Sequence, residues 1–514
     1  MRNKFAFVAG VIGLVVFVAA GVFVICLYTI PKFTPMGMNG VYVRNNYTTY
    51  VGDELESMFA QRDMMIESSK AEIIIRMRKV GFEDKGRIQV FEDANGISFN
   101  SLSRTQIDFM EELADNGNPF TKIVIREPKG AMTRTARIYI NLGLRHQDTP
   151  GQDLIPYNFI LNTGASPVKF EYDPSVANMR INRLTVHGTG NVELPSSNEA
   201  FSLIVGELNV DSSNSSINCP SPITGAVAIS GTSRNVTLDA TGPVTVSGVS
   251  HRVTLGTVSG NVDFDAMTSS SLTIGKACYG NLTVNMPTSQ ISLNVREVVH
   301  LDVNAKGGSV SAGKVSGNSV ILMDNGTVNL GTRGTDSGVF GDVDINKRTG
   351  SVSIAYANSP TAIGTCKIRT LDGNINVYGV RNAVDIYVPS SVANANVSVA
   401  FAAFMWNSSA TSRIIIEGSR KPNTGNIEVK LLGLFPASFH FRGASEIVDN
   451  ITHRTTELGN CLNHDHKAAD NPNGTLEDWQ TNAGCNSFIE KVGIGGAVLN
   501  VKTQGRISLE SGSY

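Results

Sequence analysis

Residues 253–293 read VTLGTVSGNVDFDAMTSSSLTIGKACYGNLTVNMPTSQISL, and one short unit recurs in them: apolar, polar, apolar, then a turn of glycine, asparagine or serine. The copies are Val253-Thr254-Leu255, Val262-Asp263-Phe264, Leu272-Thr273-Ile274, Leu282-Thr283-Val284 and Ile291-Ser292-Leu293. Upstream stand Val227-Ala228-Ile229, Val236-Thr237-Leu238 and Val244-Thr245-Val246. Downstream stand Leu301-Asp302-Val303, Val310-Ser311-Ala312, Val320-Ile321-Leu322 and Val328-Asn329-Leu330. A glycine-rich insertion, Gly331 to Gly338, precedes Val343-Asp344-Ile345 and Val352-Ser353-Ile354. Before the insertion the units begin 8–10 residues apart.

Alternation with a period of two points the outer residues of each unit inward and the middle one outward. Strands this short are unstable alone, and stacking successive copies completes their hydrogen bonds over a shared core. The beat predicts an all-β chain, a parallel β-helix (β-solenoid) with two strands per coil; an antiparallel sandwich is the alternative. One outward face then carries Thr237, Thr254, Thr273, Ser292 and Ser311, continued by Asn329 and Ser353. This row is a candidate binding face, or a solvated strand surface that favours threonine. The other face carries Ala228, Thr245, Asp263, Thr283, Asp302, Ile321 and Asp344.

Residues 5–30 hold no charged side chain and are long enough to span a bilayer as a signal-anchor helix, behind a cytoplasmic tail at 1–4. A cleaved signal peptide ending near Val18-Ala19-Ala20 is the rival. The expected topology is a single-pass, integral membrane protein with residues 31–514 extracellular or periplasmic. Residues 31–134 read as a mixed α/β membrane-proximal region or cap, with helix-like spacing over Glu54–Met65 and Thr105–Ala114. Strands are expected at Ala71–Met77 and Arg87–Phe91. The β-helix is expected over 135–514, with a Cys-flanked loop at 461–485.

Forty-three basic against 45 acidic residues leave a net charge of −2, which excludes a nucleic-acid partner bound through a basic face. Of six cysteines only Cys461 and Cys485 form a local pair, read as a disulfide, with two free thiols as the alternative. Nine Asn-X-Ser/Thr sites allow glycosylation: Asn46, Asn214, Asn235, Asn281, Asn325, Asn396, Asn407, Asn450 and Asn473. Phe401, Phe404 and Trp406 form an aromatic stretch, in the core or at a partner-binding patch.

No nucleophile elbow, zinc-protease, phosphate-loop or dinucleotide motif occurs, so no catalytic residue, cofactor or metal is assigned. Gly334 to Gly338 reads as a turn. Asp263 and Asp302 fall on one expected face but too far apart for an effective carboxylate pair. His464, Asp465, His466 and Asp470 are the one dense metal-capable cluster, but a metal site needs a further fixed ligand, and they read as part of a polar disulfide-stapled loop.

The repeated Gly260-Asn261-Val262 and Gly280-Asn281-Leu282 units, the strand-like Val384 to Pro389 and the ending Ala497 to Leu509 resemble the putative-adhesin β-helix domain family of bacteria and some eukaryotic microbes. The resemblance covers about residues 135–514 and implies an extracellular or periplasmic scaffold for adhesion, with no functional residue to carry over. The expected function is non-enzymatic display of a binding surface for a glycan or protein ligand. A membrane-tethered carbohydrate-active enzyme and a purely structural stalk remain the alternatives.

Overall fold

A computed structural model describes residues 42–51, 63–79, 87–96, 105–113, 118–127, 133–144, 157–172, 178–197, 202–333, 335–389, 395–402, 411–417, 425–432, 437–442, 446–450, 454–457, 487–492 and 497–512. Every regular element among them is a strand. Two compact units divide the chain, residues 1–203 and 204–514.

In the first unit, strand Asp63–Glu67 runs parallel to Pro119–Arg126 on one side and to Tyr157–Asn162 on the other. Strand Glu72–Lys79 is flanked in the same way by Thr133–Leu144 and Val168–Tyr172. Ile66, Ile73, Ile75, Ile138, Phe159 and Phe170 fill the interior between them. Antiparallel pairs close its margins, Tyr42–Val51 with Arg87–Gly96 and Gln106–Leu113 with Pro119–Arg126. Glu92 lies buried there, and both its oxygens accept hydrogen bonds from Thr105, from the amide at 3.1 Å and the hydroxyl at 2.8 Å.

In the second unit, over residues 227–432, successive strand segments pair in parallel with the next but one. Val244–Gly248 lies on Val262–Ala266, and Arg252–Val258 lies on the first part of the long strand Ser270–Val315. Two columns of strands result, with Val246, Leu255, Val262, Phe264, Leu272 and Leu282 buried inside. Glycines let the corners stack: Gly326, Gly350 and Gly373 follow one another with φ of +119°, +103° and +108°. A Cβ on Gly350 would lie 2.0 Å from the Gly326 carbonyl oxygen, closer than any real contact. Asparagines hold the corners of both columns. Asn261 Oδ1 accepts from the Asn281 amide at 3.0 Å, and Asn374, Asn396 and Asn426 each accept similarly from the corner one turn later.

These findings correct the expected fold. No α/β region exists among the described residues, and the 5–30 span lies outside them. No helix among the described residues is long and apolar enough to cross a membrane. The helix-like Thr105–Ala114 stretch is instead strand Gln106–Leu113, because pairing with Phe120, Ile123 and Ile125 outweighs weak local helix spacing. Parallel stacking begins at residue 63, well before 135, and antiparallel hairpins interrupt it. The architecture is a large, mainly parallel all-β sheet system, not a regular β-helix set behind a separate collar. Strands Ala437–Arg442 and Ser487–Val492 also pair antiparallel, and Ala497–Lys502 lies between Thr411–Ile416 and Ala437–Arg442.

One triplet is also out of register with the sequence reading. In Ser319–Asn325 it is Ile321 that is buried, while Val320 and Leu322 are 50% and 49% exposed. Three apolar residues in a row leave the alternation ambiguous, and the pairing of Leu301 with Ser319 and Val303 with Ile321 decides it.

Candidate functional site

Outward side chains of the second unit form rows along its strands. Asn218, Thr237, Thr254 and Thr273 are register partners on successive strands. Farther along the same column Ser311, Asn329, Ser353, Asn376 and Ser398 continue as partners, ending on Glu428. Ser292 stands exposed on Ser270–Val315 between these two series.

Beside the first series lies a groove of about 670 Å³ at the corners that lead into these strands. Its wall carries hydroxyls from five successive turns: Thr232, Ser250, Ser269, Ser271, Ser292 and Ser309. Asn235, Gln290 and Arg252 add two carboxamides and a guanidinium. Arg252 pairs with Ser271 across the strands and sits two residues from Thr254 on the same outward face. No carboxylate belongs to the lining.

His251 and Ser270 build the floor. The Ser270 hydroxyl donates to the Thr268 carbonyl at 2.9 Å and accepts from the His251 amide at 3.0 Å. His251 Nε2 lies 2.9 Å from the Ser247 carbonyl, so that nitrogen carries the proton and donates. Burial lowers the His251 pKa, partly opposed by this bond, which keeps the ring neutral at pH 7. Arg252 is therefore the one formal charge of the wall. Ser250, between the Val249 turn and His251, is the single non-glycine residue in the left-handed region among the described residues, with φ of +54°. That conformation costs about 1–2 kcal/mol, and Ser250 is one of the residues lining the groove.

The groove could not be read from the repeat. Among the expected binding-face residues only Ser292 lines it; Thr237, Thr254 and Thr273 lie alongside, and Ser311 falls in the later series. The signal for it in the sequence is the run Ser269-Ser270-Ser271 together with Ser250, serines at the turns between repeat units.

Catalytic and metal chemistry gains no geometry. Asp263 pairs with Thr245 and Thr283, Asp302 with Val320, and both carboxylates are exposed. Farther along this second face acids meet bases: Lys367 bonds Asp344 at 2.7 Å, and Arg413 and Arg369 both reach Asp385. Among the described residues no cluster could hold a metal ion, and the 464–470 cluster lies outside them. Cys461 and Cys485 lie outside them too. The described cysteines, Cys219, Cys278 and Cys366, are free and buried, and burial pushes the thiols of Cys219 and Cys366 up to about 12.

Of the glycosylation sites, Asn235, Asn281, Asn325 and Asn450 are exposed, whereas Asn396 is half-buried in the corner ladder. Asn46 and Asn214 lie on described strands, and Asn407 and Asn473 fall outside the described residues. Phe401 is fully buried, a core residue; Phe404 and Trp406 lie outside.

No family model and no curated protein matches the chain. Two solved structures align with it. One is a putative cell adhesion protein from Clostridium sporogenes, with 7% identity over 91% of this chain and 100% of that one, at a TM-score of 0.14. The other is a putative adhesin from Parabacteroides merdae, with 10% identity over 70% of this chain and 96% of that one, at a TM-score of 0.19. Values this low carry neither a fold nor a ligand from those proteins to this chain.

Proposed function

We propose that this chain is a non-catalytic, adhesion-type binding protein whose second unit presents the hydroxyl rows and the adjoining groove to a polyhydroxylated surface ligand, a glycan. The observation that supports this most is the state of the groove's polar groups. Side chains of Thr232, Ser250, Ser269, Ser271, Ser292 and Ser309 make no hydrogen bond to a described residue, and neither do Asn235 and Gln290. Groups with both donors and acceptors left over, set in one concavity, suit a ligand that is itself dense in hydroxyls. Weak single contacts become effective when many copies engage one surface. Display fits the apolar segment 5–30, which would hold the chain at a membrane with residues 31–514 outside.

The test is a glycan-binding screen with the full-length chain, run as single molecules and clustered on beads, beside hydrolase and lyase assays on the same preparation. Binding that strengthens on clustering, without turnover, is expected. Turnover lost in Asp263→Asn or Asp302→Asn would replace this function with an enzymatic one, and silence in every assay would leave a structural stalk.

A further inference from the structure

We infer that the groove selects an acidic saccharide, one carboxylate or sulfate group among many hydroxyls, with Arg252 as its anion-binding residue. This rests on the glycan-binding function proposed above and adds the charge of the ligand. Three observations converge on Arg252. Its side chain is exposed and makes no ion pair or hydrogen bond among the described residues, although basic groups on the neighbouring face such as Lys367, Arg369 and Arg413 are all paired. It projects into a wall that holds no acid. The hydroxyls and carboxamides around it are likewise uncommitted, with Ser271 its partner on the next strand.

A guanidinium offers paired, coplanar donors that match a carboxylate or sulfate edge with two hydrogen bonds, while the flanking hydroxyls serve the rest of the sugar. With His251 neutral, the wall carries one positive charge. That matches one anionic group per binding register and is too little for nucleic acid or polyphosphate, which need many cations. The turns that bear Ser250 and Ser269 also expose Val249 and Met267, at 38% and 70%, outside the groove lining. Hydroxyls supplied by five successive turns, spaced about 4.8 Å apart, extend the contact over more than one sugar.

The experiment immobilises the full-length chain and measures binding of dextran, dextran sulfate, polygalacturonate and polyglutamate. The wild type is compared with Arg252→Gln, Arg252→Lys and Arg296→Gln, the last removing an exposed charge outside the groove lining. Circular dichroism checks that each variant folds. The expected result is preference for an anionic polysaccharide over dextran, reduced at least tenfold in Arg252→Gln, partly kept in Arg252→Lys and kept in Arg296→Gln. The two anionic polysaccharides, dextran sulfate and polygalacturonate, separate sulfate from carboxylate recognition. Equal binding of dextran, or no change in Arg252→Gln, would overturn the acidic ligand and leave glycan binding standing. Polyglutamate bound as tightly as polygalacturonate would make the ligand an acidic peptide and overturn the saccharide. No binding of any polysaccharide by the wild type would sink both the inference and the function beneath it.

Discussion

Arg413 stands beside Asp385 on the next strand of the same outward row and holds both its carboxylate oxygens, Nε to Oδ1 at 2.9 Å and Nη2 to Oδ2 at 2.8 Å. Arg369 reaches the same carboxylate at 3.3 Å, and Lys367 pairs with Asp344 one strand back. Charge is thus neutralised along the far part of this face, while the groove around Arg252 keeps an unpaired cation. Cross-strand ion pairs therefore support the later strands of the unit, and none reaches Arg252 among the described residues.

A double-mutant cycle on Arg413→Ala and Asp385→Ala measures that support. Both groups are partly solvated, so the coupling should be about 0.5–1 kcal/mol and should shrink in high salt. Coupling that is zero at low salt would remove the pair's structural role.

Register at Ser319–Asn325 is tested by a matched pair of changes. Ile321→Asp buries an unpaired charge in the core and should cost at least about 4 kcal/mol or prevent folding. Val320→Lys should be neutral or stabilise by up to about 1 kcal/mol, because Val320 lies between Asp302 and Asp344 in its row. Severe loss from Val320→Lys with tolerance of Ile321→Asp would show the opposite register. Thermal and denaturant unfolding report both.

The glycine corners make a sharp steric prediction. Gly350→Ala would place its methyl 2.0 Å from the Gly326 carbonyl oxygen at φ +103°, so unfolding should come at least about 2 kcal/mol earlier. Gly275→Ala, whose nearest contact would be 3.8 Å away, should be close to neutral. Equal effects in denaturant titrations would mean that the corners do not stack as described.

Lys347 is buried, 3% exposed, and donates to the carbonyls of Gly326 at 2.6 Å and Ser351 at 3.0 Å. Burial lowers its pKa from 10.5 to about 8. Between those two values the unfolded chain binds more protons than the folded one, so this residue's contribution to stability rises with pH across that window. Below about pH 8 the cost of burying the charge is fully present and constant. Unfolding free energies of wild type and Lys347→Met, compared from pH 7 upward, should therefore diverge in favour of the wild type above pH 8. A difference that stays flat would place Lys347 in solvent.

The sequence by itself determined the strands, because period-two alternation and regular turn residues act over a few positions, within reach of local reading. Val253, Leu255, Val262 and Phe264 are buried as that alternation requires, with Thr254 and Asp263 exposed. Local reading failed where the local signal was weak or double. Three apolar residues at 320–322 fit either face, and the helix formers at 105–114 yielded to a strand partner. Only the tertiary structure decided which distant segments meet. Thr411–Ile416 takes Ala497–Lys502 as a neighbour, and the Asn426 side chain caps the Arg506 amide, across an excursion that no local period records. The groove arose in the same way. Thr232, Arg252, Ser271 and Ser309 belong to separate turns and come together only because parallel pairing stacks equivalent corners. Periodicity specifies what each corner carries; stacking fixes which corners face one another and so what the surface can bind.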